Sequence, residues 1–410
     1  MTGSLLTLAA NKTGELDKNI TGNPSITFFK NVYKQHTNFA KEVIKIYFSD
    51  SEVKLGGTHN CKIPRKGSLL SKLYLYVELP DLVSLNSNES WKGYVNSVGF
   101  SLIKSISIKI GGMKIDTIDG QLLDIYNELY NQNSDSLVGK FNSDITLQNN
   151  SKALKLYIPL NFWFTQNEGL ALPLDALEFH EIEVEVEYRK ITELIKCNIS
   201  NITLSNVNID SYLIGTFIHL DDKEKEYFMK KEHNYLIEQN QILPEFDIST
   251  SVNTVKVPLD FQNPVKEIFW IVLDEKNHTE NIKTGNNWLT YTSIASSNSD
   301  TFTSAKIILN GNDLLDYMNA VYYRDVMAYE NYTSIPRKHI YSYSFSLNGA
   351  NHIQPSGSSN FSGFNRCFLE INFNETFNVG GVCNGRIKVY GTNYNVFRIK
   401  DGMGGLLFNM

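Results

Sequence analysis

Glu181, Glu183, Glu185 and Glu187 occupy every second position directly after His180, in the stretch HEIEVEVEY. Paired carboxylates carry out glycoside hydrolysis when two of them stand roughly 5 to 9 Å apart, and same-face neighbours on a strand have about that separation. A working acid and base need different surroundings, so that one pKa moves away from the other. A regular row of four gives every member the same environment, and it reads as a solvated or interface face. His180-Glu181 also opens like the zinc motif H-E-x-x-H, but Glu183-Val184 stand where the second imidazole belongs. The alternating pattern is that of a strand, whereas such a zinc site needs a helix.

The remaining chemical signals fail in similar ways. Asp116, Asp119 and Asp124 lack the one-three-five spacing of a calcium loop. Gly402-Met403-Gly404-Gly405 has no following Lys-Ser/Thr and cannot be a phosphate-cradling loop. No G-x-S-x-G elbow occurs. Cys61, Cys197, Cys367 and Cys383 are far apart, without a C-x-x-C pair, and are expected as buried reduced thiols. The eight histidines are dispersed. Sequons at Asn11, Asn88, Asn149, Asn198, Asn201, Asn277, Asn331, Asn360 and Asn374 are what an Asn-, Ser- and Thr-rich chain produces by chance. The expectation is no catalytic residue, no cofactor-binding residue and no metal ligand: a protein that is not an enzyme and takes no cofactor.

The elements explain the glutamates better than chemistry does. In a strand, successive side chains face opposite sides, so Ile182, Val184 and Val186 point to a core while the glutamates point to water. Similar alternations run through Leu73, Leu75, Val77 and Leu79, and through Ile106, Ile108 and Ile110 up to Gly111-Gly112. Val43 to Phe48 reads as the first strand, Ile199 to Ile209 as the last of the first half, and Arg386 to Ile399 as a strand-pair region before a flexible glycine-rich end. The 22 Tyr and 23 Phe among 410 residues also favour strand. One short helix is expected after Asp119, whose carboxylate can accept the free amide hydrogens of GQLLDIYNELY. Another is expected at DDKEKEYFMKK, Asp221 to Lys231, where acids precede bases as a helix dipole favours. Its charge marks it as a solvated linker.

On either side of that linker the chain repeats itself. Ile108-x-Ile110-x-Gly112-x-x-Ile115 is echoed by Ile307-x-Leu309-x-Gly311-x-x-Leu314, followed by a helical run LLDYMNAVYY. Trp163 stands ten residues before Pro173 as Phe345 stands ten before Pro355, each ahead of a further strand. Two matches in the same order predict a duplicated β domain. The fold class expected is all-β: two tandem eight-stranded jelly-roll domains with short helices in loops. The division reads 1–24 as an N-terminal arm, 25–212 as the first jelly roll, 213–236 as a linker with a short helix, and 237–410 as the second jelly roll.

A net charge of −6 argues against direct nucleic-acid binding, which depends on clustered Lys and Arg. The longest apolar run, Ile268 to Leu273, is far short of the ~20 residues that span a bilayer, so no transmembrane segment is expected. MTGSLLTLAANK carries no basic residue ahead of its apolar stretch, so no secretory signal is expected either, and the chain is expected to fold in the cytosol.

Four segments then point to a family. TGNPSITFFKNVYKQHTNFAKE at 21–42, NFWFTQNEGLALPLDALEFHEIEVEVEY at 161–188, YSFSLNGANHIQPSGSSNFS at 343–362 and NYNVFRIKDGMGGLLF at 393–408 resemble the major capsid proteins of nucleocytoplasmic large DNA viruses. The resemblance implies a double jelly roll that forms a homotrimer. Six similar barrels then make a pseudo-hexagonal capsomer that tiles an icosahedral shell. The implied partners are other copies of the chain, neighbouring capsomers, minor capsid proteins and a penton protein, with room for contact to an internal viral membrane layer. The implied location is the virion, after synthesis and assembly in the host cytoplasm. Two other readings stand beside it: a carbohydrate-binding or glycoside-processing jelly roll, and a minor capsid protein of the same fold.

Overall fold

The period-two alternations become antiparallel strands in the computed structural model, which describes residues 3–10, 15–85, 91–130, 133–140, 152–198, 207–248, 253–292, 300–373 and 385–408. The chain divides into two units, Met1–Asn38 and Phe39–Met410. The first contains helices Gly3–Ala10 and Glu15–Thr21, then a stretch without regular structure in which Phe28 and Phe29 are 93% and 99% exposed.

In the larger unit the first half contributes β1 (Phe39–Tyr47), β2 (Thr58–Lys62), β3 (Leu69–Leu79), β4 (Ile103–Ile110), β5 (Met113–Ile118), β6 (Leu154–Pro159), β7 (Ile182–Tyr188) and β8 (Asn208–Leu220). They pair in the orders β1-β8-β3-β6 and β2-β7-β4-β5. The second half contributes β9 (His233–Ile242), β10 (Thr254–Pro258), β11 (Pro264–Asp274), β12 (Phe302–Leu309), β13 (Asn312–Asp313), β14 (Tyr341–Ser344), β15 (Cys367–Phe373) and β16 (Gly385–Lys400). Their orders, β9-β16-β11-β14 and β10-β15-β12-β13, repeat the first half strand for strand. Further short strands pair beside these, and Trp91–Tyr94 pairs with Ile195–Cys197 in a small sheet of its own. This interleaving of chain-distant strands into facing sheets is the jelly roll.

The duplication reaches the turns. The β4–β5 hairpin closes on Gly111 and Gly112 with φ of 58° and 79°, and the β12–β13 hairpin on Asn310 and Gly311 with φ of 52° and 84°. Two positive φ values in a two-residue loop make the hairpin turn whose twist matches its strands, and only Gly or Asn adopts it cheaply.

Strand β11 explains the longest apolar run. Ile268, Trp270 and Val272 lie in the core of the second half, while Phe269, Ile271 and Leu273 join the core that fills the first half. A strand with a core on each face cannot alternate with polar residues.

Several expectations are corrected. The first strand begins at Phe39 rather than Val43, since Phe39 already pairs with Leu220. The last strand of the first half runs on to Leu220, and positions 199–206 of the expected alternation lie outside the described residues. LLDYMNAVYY is not a helix from its start. Leu314 N donates to Ile307 O at 2.9 Å, which keeps the hairpin ladder going, and the helical stretch 320–331 begins only where Asn319 Oδ1 accepts from Tyr322 N at 2.9 Å. It comprises a π-helical turn, Tyr322–Val326, leading into a helix, Met327–Asn331. Arg386 to Ile399 belongs to one continuous strand, and Met403–Leu406 pairs with it instead of being loose. Cys61, Cys197 and Cys367 are buried, while Cys383 lies outside the described residues, as do sequons Asn11, Asn88, Asn149, Asn201 and Asn374.

Candidate functional site: the seam between the two halves

The helix expected after Asp119 forms as α1 (Gly120–Leu129), with Asp119 accepting from Leu122 N at 2.8 Å. It sits in a connection between strands, yet all ten of its residues are buried. Its first residue must be glycine, because a Cβ there would stand 1.9 Å from the Phe100 carbonyl oxygen. That close approach beds the helix on the first half and turns its polar residues toward the second.

Along α1 each turn offers an oxygen across the seam. Lys388 Nζ donates to Asp119 Oδ2 at 2.6 Å, and the Tyr390 hydroxyl donates to the same oxygen at 3.1 Å. Lys338 Nζ donates to both oxygens of Asp124, at 2.7 and 2.6 Å, and Tyr291 adds a donor at 2.9 Å. The Tyr126 hydroxyl donates to Asn240 Oδ1. Glu128 accepts from Lys140 Nζ at 2.8 Å and from the Arg337 backbone N–H at 3.0 Å. Just past the helix, Tyr130 donates to Glu267 at 2.8 Å.

Behind Glu267, Lys266 is fully buried and donates to Glu238 Oε1 at 2.8 Å, while His352 Nδ1 lies 2.9 Å from Glu238 Oε2. Burial raises the Glu267 carboxyl against the opposing pull of Lys266. For Glu238 burial acts in the same sense, but His352 and Lys266 outweigh it and hold the carboxyl below its ordinary value. Asp124 is raised by burial despite Lys338. Buried charges of this kind are costly to break because removing one partner leaves the other uncompensated. The arrangement ties the two halves of the chain to each other through buried polar contacts.

The glutamate row does what its alternation implied. Ile182, Val184, Val186 and Tyr188 are buried on β7, and the glutamates meet lysines of the adjoining strands on the other face. Lys62 Nζ stands 2.6 Å from Glu181 and 3.7 Å from Glu183, Lys109 stands 2.7 Å from Glu185, and Lys104 stands 2.6 Å from Glu187. Hydrogen bonds from Lys62 and Lys104 hold Glu181 and Glu187 below the usual carboxylate range, the wrong direction for a general acid. His180 Nδ1 lies 2.9 Å from the Gly404 carbonyl and ties the chain's end to the first half. Asp116 and Asp119, set aside as calcium ligands, both belong to the seam. Trp163, 2% exposed on α2 (Trp163–Gln166), also bridges it, with its ring 6.0 Å from that of Phe397 on β16.

Sequence reasoning found α1 but not its role. The available signal was the placing of Asp119, Asp124 and Glu128 on a helix otherwise apolar enough to be buried. Among the described residues no group of three or more His, Cys, Asp or Glu could hold a metal ion, and no helix is long and apolar enough to cross a membrane.

Comparison with known proteins covers the chain almost end to end. A family model described as the N-terminus of the major capsid protein matches residues 27–220, and one described as the large eukaryotic DNA virus major capsid protein matches 224–405. The gap between them falls at the start of α3 (Asp222–Lys230), a helix with no buried residue that is capped by Asp221. The major capsid protein of Pyramimonas orientalis virus is 30% identical, with all of both chains covered. That of Paramecium bursaria Chlorella virus 1 is 29% identical, again with full coverage of both. Among solved structures, a quasi-atomic model of the PBCV-1 virus capsid superposes with a TM-score of 0.78 at 25% identity, covering 94% of this chain and 100% of that one.

Proposed function

The chain belongs to the family of large eukaryotic DNA virus major capsid proteins, and on that premise we propose that its work is to build a shell from trimers of itself. The family is structural rather than enzymatic, and the protein's place is the virion. The observation that carries the proposal is the repeated strand order in two halves locked together through α1. Three copies of a rigid pair of like barrels place six similar bodies round one axis, and that gives a hexagonal outline from threefold symmetry. The linker of this division is α3, between the end of β8 at Leu220 and the start of β9 at His233.

Neighbouring capsomers are the first partners of such a unit. Minor capsid proteins, a penton protein and an internal membrane layer are further ones, assembled with it in the host cytoplasm. The segment containing Phe28, Phe29, Val32 and Tyr33, each at least 69% exposed, supports such contacts, since exposed apolar runs mark surfaces that bind. Electron microscopy of the purified full chain tests this reading. Class averages with a hexagonal outline and threefold symmetry are expected, and particles no larger than one pair of barrels would overturn it.

A further inference from the structure

The two halves share a strand order but differ in what covers them. In the second half β11 is buried at every residue from Val265 to Asp274, because α1 of the first half lies over the outer face of its sheet. Tyr126 of α1 and Tyr130 just past it land on one row of that face: Tyr126 hydrogen-bonds Asn240 on β9 and Thr392 on β16, and Tyr130 bonds Glu267 on β11. Those three residues are register neighbours, Asn240 opposite Thr392 and Thr392 opposite Glu267.

Among the described residues, no helix hydrogen-bonds to the matching row of the first half. Across β1, β8, β3 and β6, Tyr47, Tyr212, Tyr76 and Tyr157 stand in one register row. Their ring centroids are 5.6, 4.5 and 5.1 Å apart, so the row is a continuous aromatic strip. Its two ends, Tyr47 and Tyr157, are 66% and 40% exposed. The structural counterpart of α1 is the stretch 320–331, which likewise follows the turn-closed hairpin of its own half. Where α1 is wholly buried, this stretch leaves Val321, Val326 and Tyr329 exposed, Tyr329 by 79%. Each half thus has a helix and a sheet face for one kind of contact. One pair is joined inside the chain, and among the described residues the other pair is not joined.

We propose that the open pair closes between copies: the 320–331 stretch of one copy packs on the tyrosine row of the next, repeating the contact that α1 makes within the chain. This inference rests on the reading of the chain as a self-associating subunit and names the surfaces by which it does so. A contact between two different surfaces runs head to tail, and it closes into a ring when the rotation per copy divides a full turn. Large amphipathic rings suit the receiving face, since tyrosine contributes apolar area and a hydroxyl with little loss of side-chain freedom. Exposed Lys45, whose ammonium lies 4.5 Å from the Tyr212 ring centre, puts a cation on the receiving face, and exposed Glu330 puts an anion on the helical stretch.

The test uses two variants of the full chain, Tyr329→Asp on the donating stretch and Tyr47→Asp on the receiving row. Both sites are exposed, so each variant should keep the thermal unfolding midpoint of a folded monomer. Tyr157→Asp and Val326→Asp serve as second variants should either fail to fold. Light scattering after size-exclusion chromatography is expected to show a trimer for the unmodified chain and a monomer for each variant. An equimolar mixture should give a dimer, because a head-to-tail contact leaves one intact junction between the two variants. Variants that remain trimeric would overturn the surface assignment and leave the trimer reading standing. An unmodified chain that is itself monomeric would instead overturn the trimer reading.

Discussion

Lys338 and Asp124, 214 residues apart, form a two-pronged contact in which one ammonium donates to both carboxylate oxygens at 2.7 and 2.6 Å. The Asp124 side chain is 1% exposed and that of Lys338 22%, so the pair is close to dry. Replacing Lys338 with methionine keeps most of the apolar stem and leaves a buried carboxylate without its cation, a loss of about 3–5 kcal/mol. Urea unfolding of Lys338→Met should show this loss as a lower midpoint. An unchanged midpoint would mean that the seam does not depend on the pair.

Asp116 is the second seam carboxylate with a consequence. It is buried and accepts only from neutral donors among the described residues: Thr117 N at 2.9 Å, Asn240 N at 3.0 Å and Asn240 Nδ2 at 3.2 Å. Burial pushes its carboxyl up to about 7, against those hydrogen bonds. A carboxyl raised by folding adds stability that is full below the ordinary carboxylate range and is lost as pH rises through the folded value. Relative to Asp116→Asn, the native chain should therefore lose stability between about pH 4 and 7, by at most about 1.4 kcal/mol per pH unit. Parallel pH profiles of urea unfolding for the two proteins would refute the raised value.

On β7 the two faces should respond differently. Val184 is fully buried, and Val184→Glu places an unpaired charge in the core. No folded protein should be recovered. Glu183 lies 3.7 Å from Lys62 on the wet side, and Glu183→Gln should stay within about 0.5 kcal/mol of the native chain. Equal losses in circular dichroism melts would contradict the assignment of faces.

Trp163 tests whether the halves unfold together. Trp163→Ala removes a buried ring in contact with Phe164 at 5.3 Å and with Phe397 of the second half at 6.0 Å. A loss of about 3–5 kcal/mol is expected. Calorimetry should keep one transition at a lower temperature, and an unchanged transition would place the ring outside the shared core.

The sequence was most legible where one face is wet. The period-two pattern from Glu181 to Tyr188 assigned a strand, its core face and its solvent face without further information, and the turn-closed hairpins disclosed the duplication. It was least legible where tertiary contacts reassign local preference. LLDYMNAVYY has helical spacing, but the hairpin ladder claims Leu314 first, and helix starts at 320. The seam was hidden for a related reason. Asp119 looks like an ordinary cap, and nothing near it in sequence announces Lys388 and Tyr390, which lie 269 and 271 residues away. A run such as Ile268 to Leu273 signals burial but not that two different cores share it. The tyrosine row is the extreme case, since Tyr47, Tyr76, Tyr157 and Tyr212 become neighbours only through the strand order.

The proposed shell unit is a trimer of two like barrels joined rigidly in one chain. The mass of the purified full chain in solution, read by light scattering across a dilution series, addresses it most directly. Three copies at every concentration, down to well below micromolar, is the expected result, and a monomer or a dimer that persists at high concentration would contradict it.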